Sequence, residues 1–250
     1  MSTETEPCCE LLPWDTDFFG CRIGRVRTEM LASDEVLKVD EWSRDNHIRC
    51  LYFLARADDP ATIRTAEAYG FGLVDVRLTL ERRVRLPEVS TRRKPPSDAV
   101  IRPARREDLP ALQAIARTAH RDTRFFNDVH FPRFRVEEFY SVWITVECQG
   151  RAQRVFVAAG PAGQPLGYIS CHRDSSQNKG RIGLVGVAAE ARGKGLGSSL
   201  VLAALDWLAT QGAEQIAVVT QGRNVPAQRL YQTCGFLTGN LRLWYHKWYG

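Results

Sequence analysis

The sequence predicts an α/β protein with a mixed β-sheet, and three observations lead to that prediction. A glycine-rich turn at 192–197 stands between an apolar strand pattern and an amphipathic helix pattern. Strand and helix patterns alternate over residues 100–249. A strand–helix–strand pattern also occurs twice along the chain, at a separation of 165 residues. Together these patterns favour a sheet covered by helices over an all-helical or all-β fold.

Composition limits the class of protein. The chain has 250 residues, of which 44% are hydrophobic and 25% charged, as in ordinary soluble globular domains. Its apolar runs are too short to cross a bilayer, and its polar, acidic start is unlike a secretory signal. Seven cysteines with no CxxC pair favour reduced thiols over a disulfide framework or a zinc site. We therefore expect a cytoplasmic protein without a metal or a membrane segment.

Basic residues crowd the middle of the chain. Nine of them lie at 82–106, with two acidic residues among them. Residues 86–97 also contain two adjacent prolines and few apolar side chains, as linkers do. We therefore predict a first domain at 1–85, a basic linker at 86–97 and a second domain at 98–250. No aromatic residue interrupts the basic run, so a stacking platform for nucleic acid is absent, and we favour a solvated linker over nucleic-acid binding.

The elements of the second domain follow from periodicity and turn residues. The helix patterns run over 107–120, 136–147, from the glycine turn to about 210, and over 226–233. The strand patterns cover 100–102, 155–159, 166–172, 181–187, 216–220 and 240–249. The first helix carries its apolar residues on one face, and a Gly-Pro-Ala-Gly turn joins the second and third strands as a hairpin. The aromatic segment at 121–135 has no clear period and is predicted to be irregular.

The first half of the chain repeats the end of the second half. At an offset of 165, residues 51–54 (Leu-Tyr-Phe-Leu) fall on 216–219 (Ile-Ala-Val-Val), and Gly70-Phe71 falls on Gly235-Phe236. The first copy lacks the glycine turn, and Ala66 stands where the second copy has Tyr231. We therefore predict a truncated first domain and one active site per chain.

The glycine turn predicts an anion site. Glycines alternate in Arg192-Gly193-Lys194-Gly195-Leu196-Gly197 at the start of a helix, where backbone N–H groups and the helix dipole favour phosphate. A P-loop would need Ser or Thr after Lys194, and a dinucleotide fingerprint would need glycine in place of Ser198. The next strand ends in Thr220-Gln221, without the acid that would hold a ribose. The turn therefore binds another phosphate ligand or joins strand and helix as an ordinary turn.

The turn, Asn224 and the segment Tyr231-Gln232-Thr233-Cys234-Gly235-Phe236 occur in the order typical of one superfamily. Over roughly residues 98–250 this combination resembles the GNAT superfamily of acyl-CoA-dependent N-acyltransferases. The family pattern R/Q-x-x-G-x-G/A falls on Arg192, Gly195 and Gly197. The resemblance implies the mixed α/β GNAT fold, here preceded by a truncated GNAT-like domain, and acetyl-CoA as cosubstrate.

The resemblance also implies roles for residues. The turn would hold the pyrophosphate of coenzyme A, the end of the preceding strand would pair with the pantetheine arm, and Asn224 would contact pantetheine or adenosine. The cofactor-binding residues expected in this way are Val185, Val187, Arg192, Gly193, Lys194, Gly195, Gly197, Ser198 and Asn224. Tyr231 would be the general acid that assists the leaving thiolate.

The general base is left open by the sequence. Many members of the superfamily use a carboxylate on the strand that ends at Val187, but 181–187 (RIGLVGV) holds none. Asp128, His130 and His172 are the candidates, and bulk water or a short water chain is the alternative.

Three further segments resemble a narrower group. They are 12–20 (LPWDTDFFG), 124–132 (RFFNDVHFP) and 243–248 (LWYHKW). With them the whole chain resembles the bacterial dTDP-4-amino-4,6-dideoxygalactose (TDP-fucosamine) acetyltransferase group. That resemblance implies transfer of acetyl to the amine of a nucleotide-linked sugar, for surface-polysaccharide synthesis.

The second of these segments suits such an acceptor. Its aromatic faces could hold a sugar or thymine ring and its arginine a diphosphate, although simple packing of the loop is the alternative. The substrate-binding candidates are Arg124, Phe125, Phe126, Asp128, His130 and Phe131.

Other functions stay open at this point. The acceptor could be a protein N-terminus, a lysine or another small amine. The chain could also be a CoA-responsive or nucleic-acid-binding module. Its terminal strand could form an edge used in a homodimer.

Overall fold

A computed structural model describes residues 7–84 and 99–250. The predicted linker, 86–97, lies outside the described residues. The chain forms two compact units. The first consists of Met1–Arg77, Thr123–Phe131 and Leu241–Gly250, and the second of Leu78–Asp122 and Pro132–Asn240.

Strands and helices alternate along the chain. The strands are β1 (Cys9–Leu11), β2 (Ile23–Val26), β3 (Cys50–Arg56), β4 (Gly72–Arg83), β5 (Val100–Pro103), β6 (Arg154–Ala159), β7 (Pro165–Asp174), β8 (Lys179–Val187), β9 (Gln215–Gln221) and β10 (Leu237–Trp248). The α-helices are α1 (Pro13–Phe19), α2 (Ser33–Asp45), α3 (Pro60–Ala68), α4 (Leu109–Ala119), α5 (Arg124–Asn127), α6 (Arg133–Val146), α7 (Leu196–Thr210) and α8 (Val225–Thr233).

The sheet of the first unit mixes parallel and antiparallel pairs. Strand β1 is antiparallel to β2, which is parallel to β3. The end of β10 is antiparallel to β3, with Arg242 opposite Arg56 and Trp248 opposite Cys50. This pairing explains why the last ten residues belong to the first unit, although the sequence-based boundary assigns them to the second domain. The boundaries 1–85 and 98–250 stay a prediction.

The first unit has its own apolar core. Residues from α2, β3, α3 and the end of β10 lose almost all contact with water there, which is the main source of its stability. The buried members of this cluster include Leu31, Val36, Val39, Ile48, Leu51, Phe53, Phe71 and Tyr245.

The sheet of the second unit is also mixed. Strands β5, β6, β7 and β8 form an antiparallel run, and β9 joins β8 in parallel. Helix α7 packs on one face of this sheet. A Cβ on Gly180 would lie 3.1 Å from the side chain of Leu208, and one on Gly167 would lie 3.2 Å from that of Leu200, so both glycines allow the helix to approach closely. The prediction of a mixed α/β fold is confirmed.

The predicted elements differ from the structure mainly in the aromatic segment. Residues 121–135, predicted to be irregular, contain α5 and the start of α6. Helix α5 has only four residues, too few to produce a readable period. Helix α6 ends in a π-type turn at Glu147–Arg151, where Gly150 has a φ of 112°.

The internal repeat is present in the structure with a constant offset. Adding 165 to the bounds of β3, α3 and β4 gives the bounds of β9, α8 and β10. In each copy the residue before the helix accepts a hydrogen bond at the helix N-terminus: Asp59 from Ala61 N, and Asn224 from Ala227 N. Such caps satisfy N–H groups that have no partner inside the helix.

Candidate functional site

The glycine turn presents an exposed, cationic N-terminus of α7. Arg192, Gly193, Lys194 and Gly195 are all exposed. Gly193 and Gly195 have φ values of 74° and 80°, which are strained for any residue with a side chain. The first amides of α7 have no intrahelical partner, so they and the helix dipole suit a phosphate. These features suit an anion, and the anion site itself stays a prediction.

Beside this turn, two parallel strands separate. Strands β8 and β9 pair from Lys179 opposite Gln215 to Ile182 opposite Val218. Both strands continue beyond that point, β8 to Val187 and β9 to Gln221, but their register of pairs stops there. The far edge of β8 is therefore open to an extended, amide-containing ligand. Val185 and Val187, predicted to pair with pantetheine, lie on this open stretch and are half-buried.

The first turn of α7 packs closely on α8. A Cβ on Gly197 would lie 3.1 Å from the side chain of Leu230, so glycine allows this approach. Ser198 is half-buried in the same turn, next to Ser199, whose hydroxyl donates to Gly195 O at 3.3 Å. Arg192 Nε donates to Val187 O at 3.2 Å and so ties the turn to the end of β8.

Tyr231 lies on α8, and Asn224 is the residue directly before that helix. Tyr231 is 5% exposed and meets Phe236 edge to face, with ring centroids 5.9 Å apart. Burial raises the pKa of Tyr231, so the phenol holds its proton at neutral pH. Asn224 uses its side-chain oxygen to cap α8, which gives it a structural role besides any contact with a ligand.

The aromatic residues of the predicted acceptor segment are largely packed inside the first unit. Phe125 is 3% exposed and Phe131 is 4% exposed. Their ring centroids are 5.3 Å apart, and they lie 5.4 Å and 4.5 Å, respectively, from the ring centroid of Phe19. Phe126 is half-buried. Packing therefore accounts for two of the three phenylalanines.

Asp128 is the centre of a buried hydrogen-bond network. Its carboxylate accepts from His246 Nδ1 at 2.7 Å, from Trp248 Nε1 at 2.8 Å, and from His130 N and Nδ1 at 3.0 and 2.8 Å. Burial acts to raise the pKa of Asp128, but these hydrogen bonds lower it well below its usual value. Asp128 is therefore held as an anion, while the ring of His130 is half exposed and stacks on Trp248.

Arg124 lies among aromatic rings. Its guanidinium carbon is 4.1 Å from the ring centre of Trp244, 4.3 Å from that of Phe125 and 4.8 Å from that of Tyr52. Within the described part of the chain, Arg124 has no carboxylate partner, and its Nε and the Tyr52 hydroxyl are buried without a hydrogen bond. This uncompensated cation fits an anionic ligand group.

Sequence reasoning did not single out a buried acid–histidine pair in the second unit. His172 Nε2 lies 2.7 Å from Glu147 Oε2, and the two side chains are 13% and 1% exposed. His172 was one of three base candidates, but its partner is 25 residues away at the end of a predicted helix. A second pair, His120 Nε2 and the Tyr168 hydroxyl at 2.8 Å, was also missed. Neither pair gives a local sequence signal.

Residues 7–84 and 99–250, which the structure describes, contain no group of three or more His, Cys, Asp or Glu side chains arranged for a metal ion. No helix among them has the length and apolarity that a membrane span requires.

Comparison with known proteins gives relatives that match nearly all or part of the chain. The chain is 27% identical to the dTDP-fucosamine acetyltransferase of Escherichia coli O6:H1 over 243 residues, which cover 95% of this chain and 97% of that protein. It is 29% identical to the spore coat polysaccharide biosynthesis protein SpsD of Bacillus subtilis over 143 residues, covering 57% of this chain and 48% of that one.

The fold has solved counterparts, and residues 115–236 match a family. A GCN5-related N-acetyltransferase from Sphaerobacter thermophilus aligns with a TM-score of 0.71 and 16% identity, covering 96% of this chain and 76% of its own. The sequence model of the acetyltransferase (GNAT) family matches residues 115–236, a range that includes the glycine turn, Asn224 and Tyr231. The expected resemblance is thereby confirmed: residues 115–236 of this chain match the acetyltransferase (GNAT) family.

Proposed function

We propose that this protein transfers the acetyl group of acetyl-CoA to the amine of a nucleotide-linked 4-amino-4,6-dideoxy sugar, for surface-polysaccharide synthesis. One observation carries the coenzyme half of the proposal. The exposed glycine turn at the N-terminus of α7 follows β8 after four residues, and the β8–β9 pairing ends at Ile182, before the end of β8. A phosphate site and an open strand edge together suit a ligand that has a pyrophosphate at one end and an amide chain at the other.

The coenzyme is assigned to residues of the second unit. The backbone N–H groups of 193–198 would hold the pyrophosphate, and Arg192 and Lys194 would add positive charge. Val185 and Val187 would offer backbone groups to the amides of the pantetheine arm. Asn224 would lie near pantetheine or adenosine.

The acceptor is assigned to residues of the first unit. The uncompensated guanidinium of Arg124 suits the diphosphate of a nucleotide sugar. His130 and the half-buried Phe126 could contact the sugar or base, whereas Phe125, Phe131 and Asp128 would support them from inside the unit. The E. coli relative, whose name gives a dTDP-linked amino sugar as its substrate, matches over 97% of its length and supports this choice of acceptor.

The transfer would be direct. The amine nitrogen attacks the thioester carbonyl, the C–N bond forms and the C–S bond breaks. The coenzyme leaves as a thiolate, which takes a proton from the Tyr231 hydroxyl. An acid placed in this way contributes about 100-fold to 10,000-fold in rate.

An acceptor panel with a thiol-release assay tests the proposal. The panel contains a dTDP-linked 4-amino-4,6-dideoxyhexose, the same amino sugar without its nucleotide, peptides with a free N-terminus or a lysine, and aminoglycosides. We expect the nucleotide sugar to give the highest kcat/KM and the free sugar a much higher KM. Acetylation of peptides together with inertness of every amino-sugar nucleotide would overturn the proposed acceptor.

A further inference from the structure

Glu147 is a buried carboxylate with a full set of donors. It is 2% exposed and stands at the start of the π-type turn that ends α6. It accepts hydrogen bonds from His172 Nε2 at 2.7 Å and from Trp143 Nε1 at 3.1 Å, and the Ser170 hydroxyl also bonds to it. Burial acts to raise the pKa of Glu147, but these bonds bring it below its ordinary value. Glu147 is therefore an anion that can only accept hydrogen bonds.

This environment fixes the tautomer of His172. Because the carboxylate only accepts, the proton of the neutral imidazole must be on Nε2, and Nδ1 carries the lone pair. The same carboxylate holds the ring in one orientation. The side chain of His172 is 13% exposed, so it is largely buried but still accessible from solvent. A carboxylate that orients a histidine and stabilises its protonated form is the arrangement that makes imidazole an effective base in serine hydrolases.

The pair lies beside the point where β8 leaves β9. His172 is on β7, opposite Arg181 of β8. A Cβ on Gly183 would lie 2.8 Å from His172 Nε2 and 2.5 Å from the Ser170 hydroxyl. Gly183 directly follows Ile182, the last residue of β8 that pairs with β9. The acid–histidine pair therefore adjoins the open stretch of β8, which has no carboxylate of its own.

We infer that His172 is the general base of the acetyl transfer and that Glu147 is the residue that positions it. The inference rests on the proposed transfer to an amine, whichever amine that is. As the nitrogen attacks the thioester carbon, Nδ1 of His172 takes the proton that the nitrogen loses. The thiolate takes a proton from Tyr231, and afterwards His172 releases its proton to water and Tyr231 regains one. In the net reaction, an amine and acetyl-CoA give an amide and free coenzyme A.

The charged neighbours of His172 are compatible with this role. Arg151 Nε lies 3.8 Å from Glu147 Oε1 on the same π-type turn, and Arg181 faces His172 from β8. Arg181 also interacts electrostatically with Glu147, and positive charge near a carboxylate favours its ionised form.

His120 is the rival base in this unit. Burial, with a smaller contribution from Arg192, lowers its pKa to about 4. Its Nε2 bonds to a buried phenol and no carboxylate. A group with so low a pKa takes up a proton poorly at neutral pH.

The pH dependence of kcat/KM tests the inference. We expect His172→Gln to lower kcat/KM about 100-fold near neutral pH and to approach the wild type at high pH, where hydroxide can take the proton that the attacking nitrogen loses. Glu147→Gln should show a smaller loss with the same trend and an unchanged Kd for coenzyme A. His47→Gln, an exposed histidine in the first unit, is the matched control. A His172→Gln enzyme with wild-type rates, or with the same deficit at every pH, would overturn the inference, as would His120→Gln reproducing the pH-dependent loss.

Two measurements keep folding and function apart. Imidazole should restore part of the activity of His172→Ala, which it would not do for a merely structural defect. In the wild type, the ring-nitrogen NMR signals of the neutral form of His172 should show a protonated Nε2 and an unprotonated Nδ1, and the opposite tautomer would refute the assignment without any activity assay. The wild-type acceptor panel decides the proposed function separately, and the variants are compared on whichever amine it reacts with.

Discussion

The carboxylate of Asp128 accepts a hydrogen bond from Nδ1 of His246 at 2.7 Å, and the two side chains are 4% and 0% exposed. These residues are 118 positions apart in the chain. Burial lowers the pKa of His246 to about 4 despite the neighbouring carboxylate, so the pair consists of an anion and a neutral ring at pH 7. Since Trp248 also donates to Asp128, this carboxylate ties the segment Thr123–Phe131 to the terminal strand.

Asp128→Asn should destabilise the first unit. An asparagine side chain lacks the negative charge that the surrounding N–H donors stabilise, and its own NH₂ group would face these donors. We expect this to lower the free energy of unfolding by about 3 kcal/mol. Chemical denaturation followed by the tryptophan signal measures this loss. Asp17→Asn, at an exposed position of α1, is the matched control and should stay within about 0.5 kcal/mol of the wild type. An Asp128→Asn protein as stable as this control would show that the network contributes little.

Stability should fall as the pH drops from about 6.5 to about 4. An unfolded histidine has a pKa near 6.5, whereas His246 and His120 have pKa values of about 4 in the folded chain. Between these pH values the unfolded chain binds protons that the folded chain does not bind. By about pH 4, each of the two histidines therefore lowers the free energy of unfolding by on the order of 3 kcal/mol. The lowered pKa of Asp128 extends the loss to still lower pH.

Denaturation at several pH values checks this sign. His246→Asn should reduce the slope of the free energy of unfolding against pH between pH 6.5 and 4. This is about the window over which an unfolded histidine takes up its proton. His47→Asn should leave the slope as it is. A wild-type stability that is constant over this window would contradict the burial of neutral rings.

Local signals made the repeat and the glycine turn predictable from the sequence. The offset of 165 was readable because each copy ends its helix with the same Gly-Phe step. The structure gives this step the same hydrogen bonds, from Phe71 N to Ala66 O and from Phe236 N to Tyr231 O, both 3.0 Å. Glycines with positive φ and helix caps act over a few residues, so they leave a pattern in the sequence.

The polar clusters were not predictable, because their members meet only after folding. Glu147 ends one helix pattern and His172 ends a strand pattern, and no periodicity links them. Asp128 and His130 read as surface candidates for catalysis, but Asp128 is buried by a strand more than a hundred residues later. Long-range pairing of this kind depends on the topology of the sheets, which local patterns do not encode.

Gly195→Ala should weaken coenzyme binding. At a φ of 80° a Cβ costs about 1–2 kcal/mol, and the turn can relieve this strain only by moving the N–H groups at the start of α7. About 1.4 kcal/mol lost in this way is a tenfold rise in Kd, measurable by calorimetry with coenzyme A. Gly163→Ala, at a φ of 81° with open space around its Cβ, carries the same strain in the β6–β7 turn and should leave the Kd unchanged. An equal Kd for all three proteins would remove the turn from the coenzyme site.

Tyr231→Phe should lower kcat about 100-fold, the smaller effect expected for loss of a proton donor, with the Kd for coenzyme A unchanged. The ring keeps its contact with Phe236, so folding should not suffer. Tyr69→Phe, at the end of α3 in the other copy of the repeat, is the control for loss of a phenol hydroxyl. Near-normal turnover of Tyr231→Phe would exclude the phenol from the mechanism.

Gly183→Ala should damage activity through the groups behind it. Its Cβ would lie 2.5 Å from the Ser170 hydroxyl and 2.8 Å from His172 Nε2, closer than van der Waals contact allows, and both groups bond to Glu147. The side chains must give way, which costs about 1–3 kcal/mol of stability and turns the imidazole away from its carboxylate. Gly72→Ala, whose Cβ would make an ordinary contact of 3.7 Å with His246 O, is the control for a methyl group added to a strand. Steady-state kinetics should therefore show a lower kcat for Gly183→Ala and an unchanged kcat for Gly72→Ala. The activity of Gly183→Ala should approach that of the wild type at high pH, as for His172→Gln. If Gly183→Ala keeps its turnover while losing stability, the orientation of His172 does not matter to the reaction.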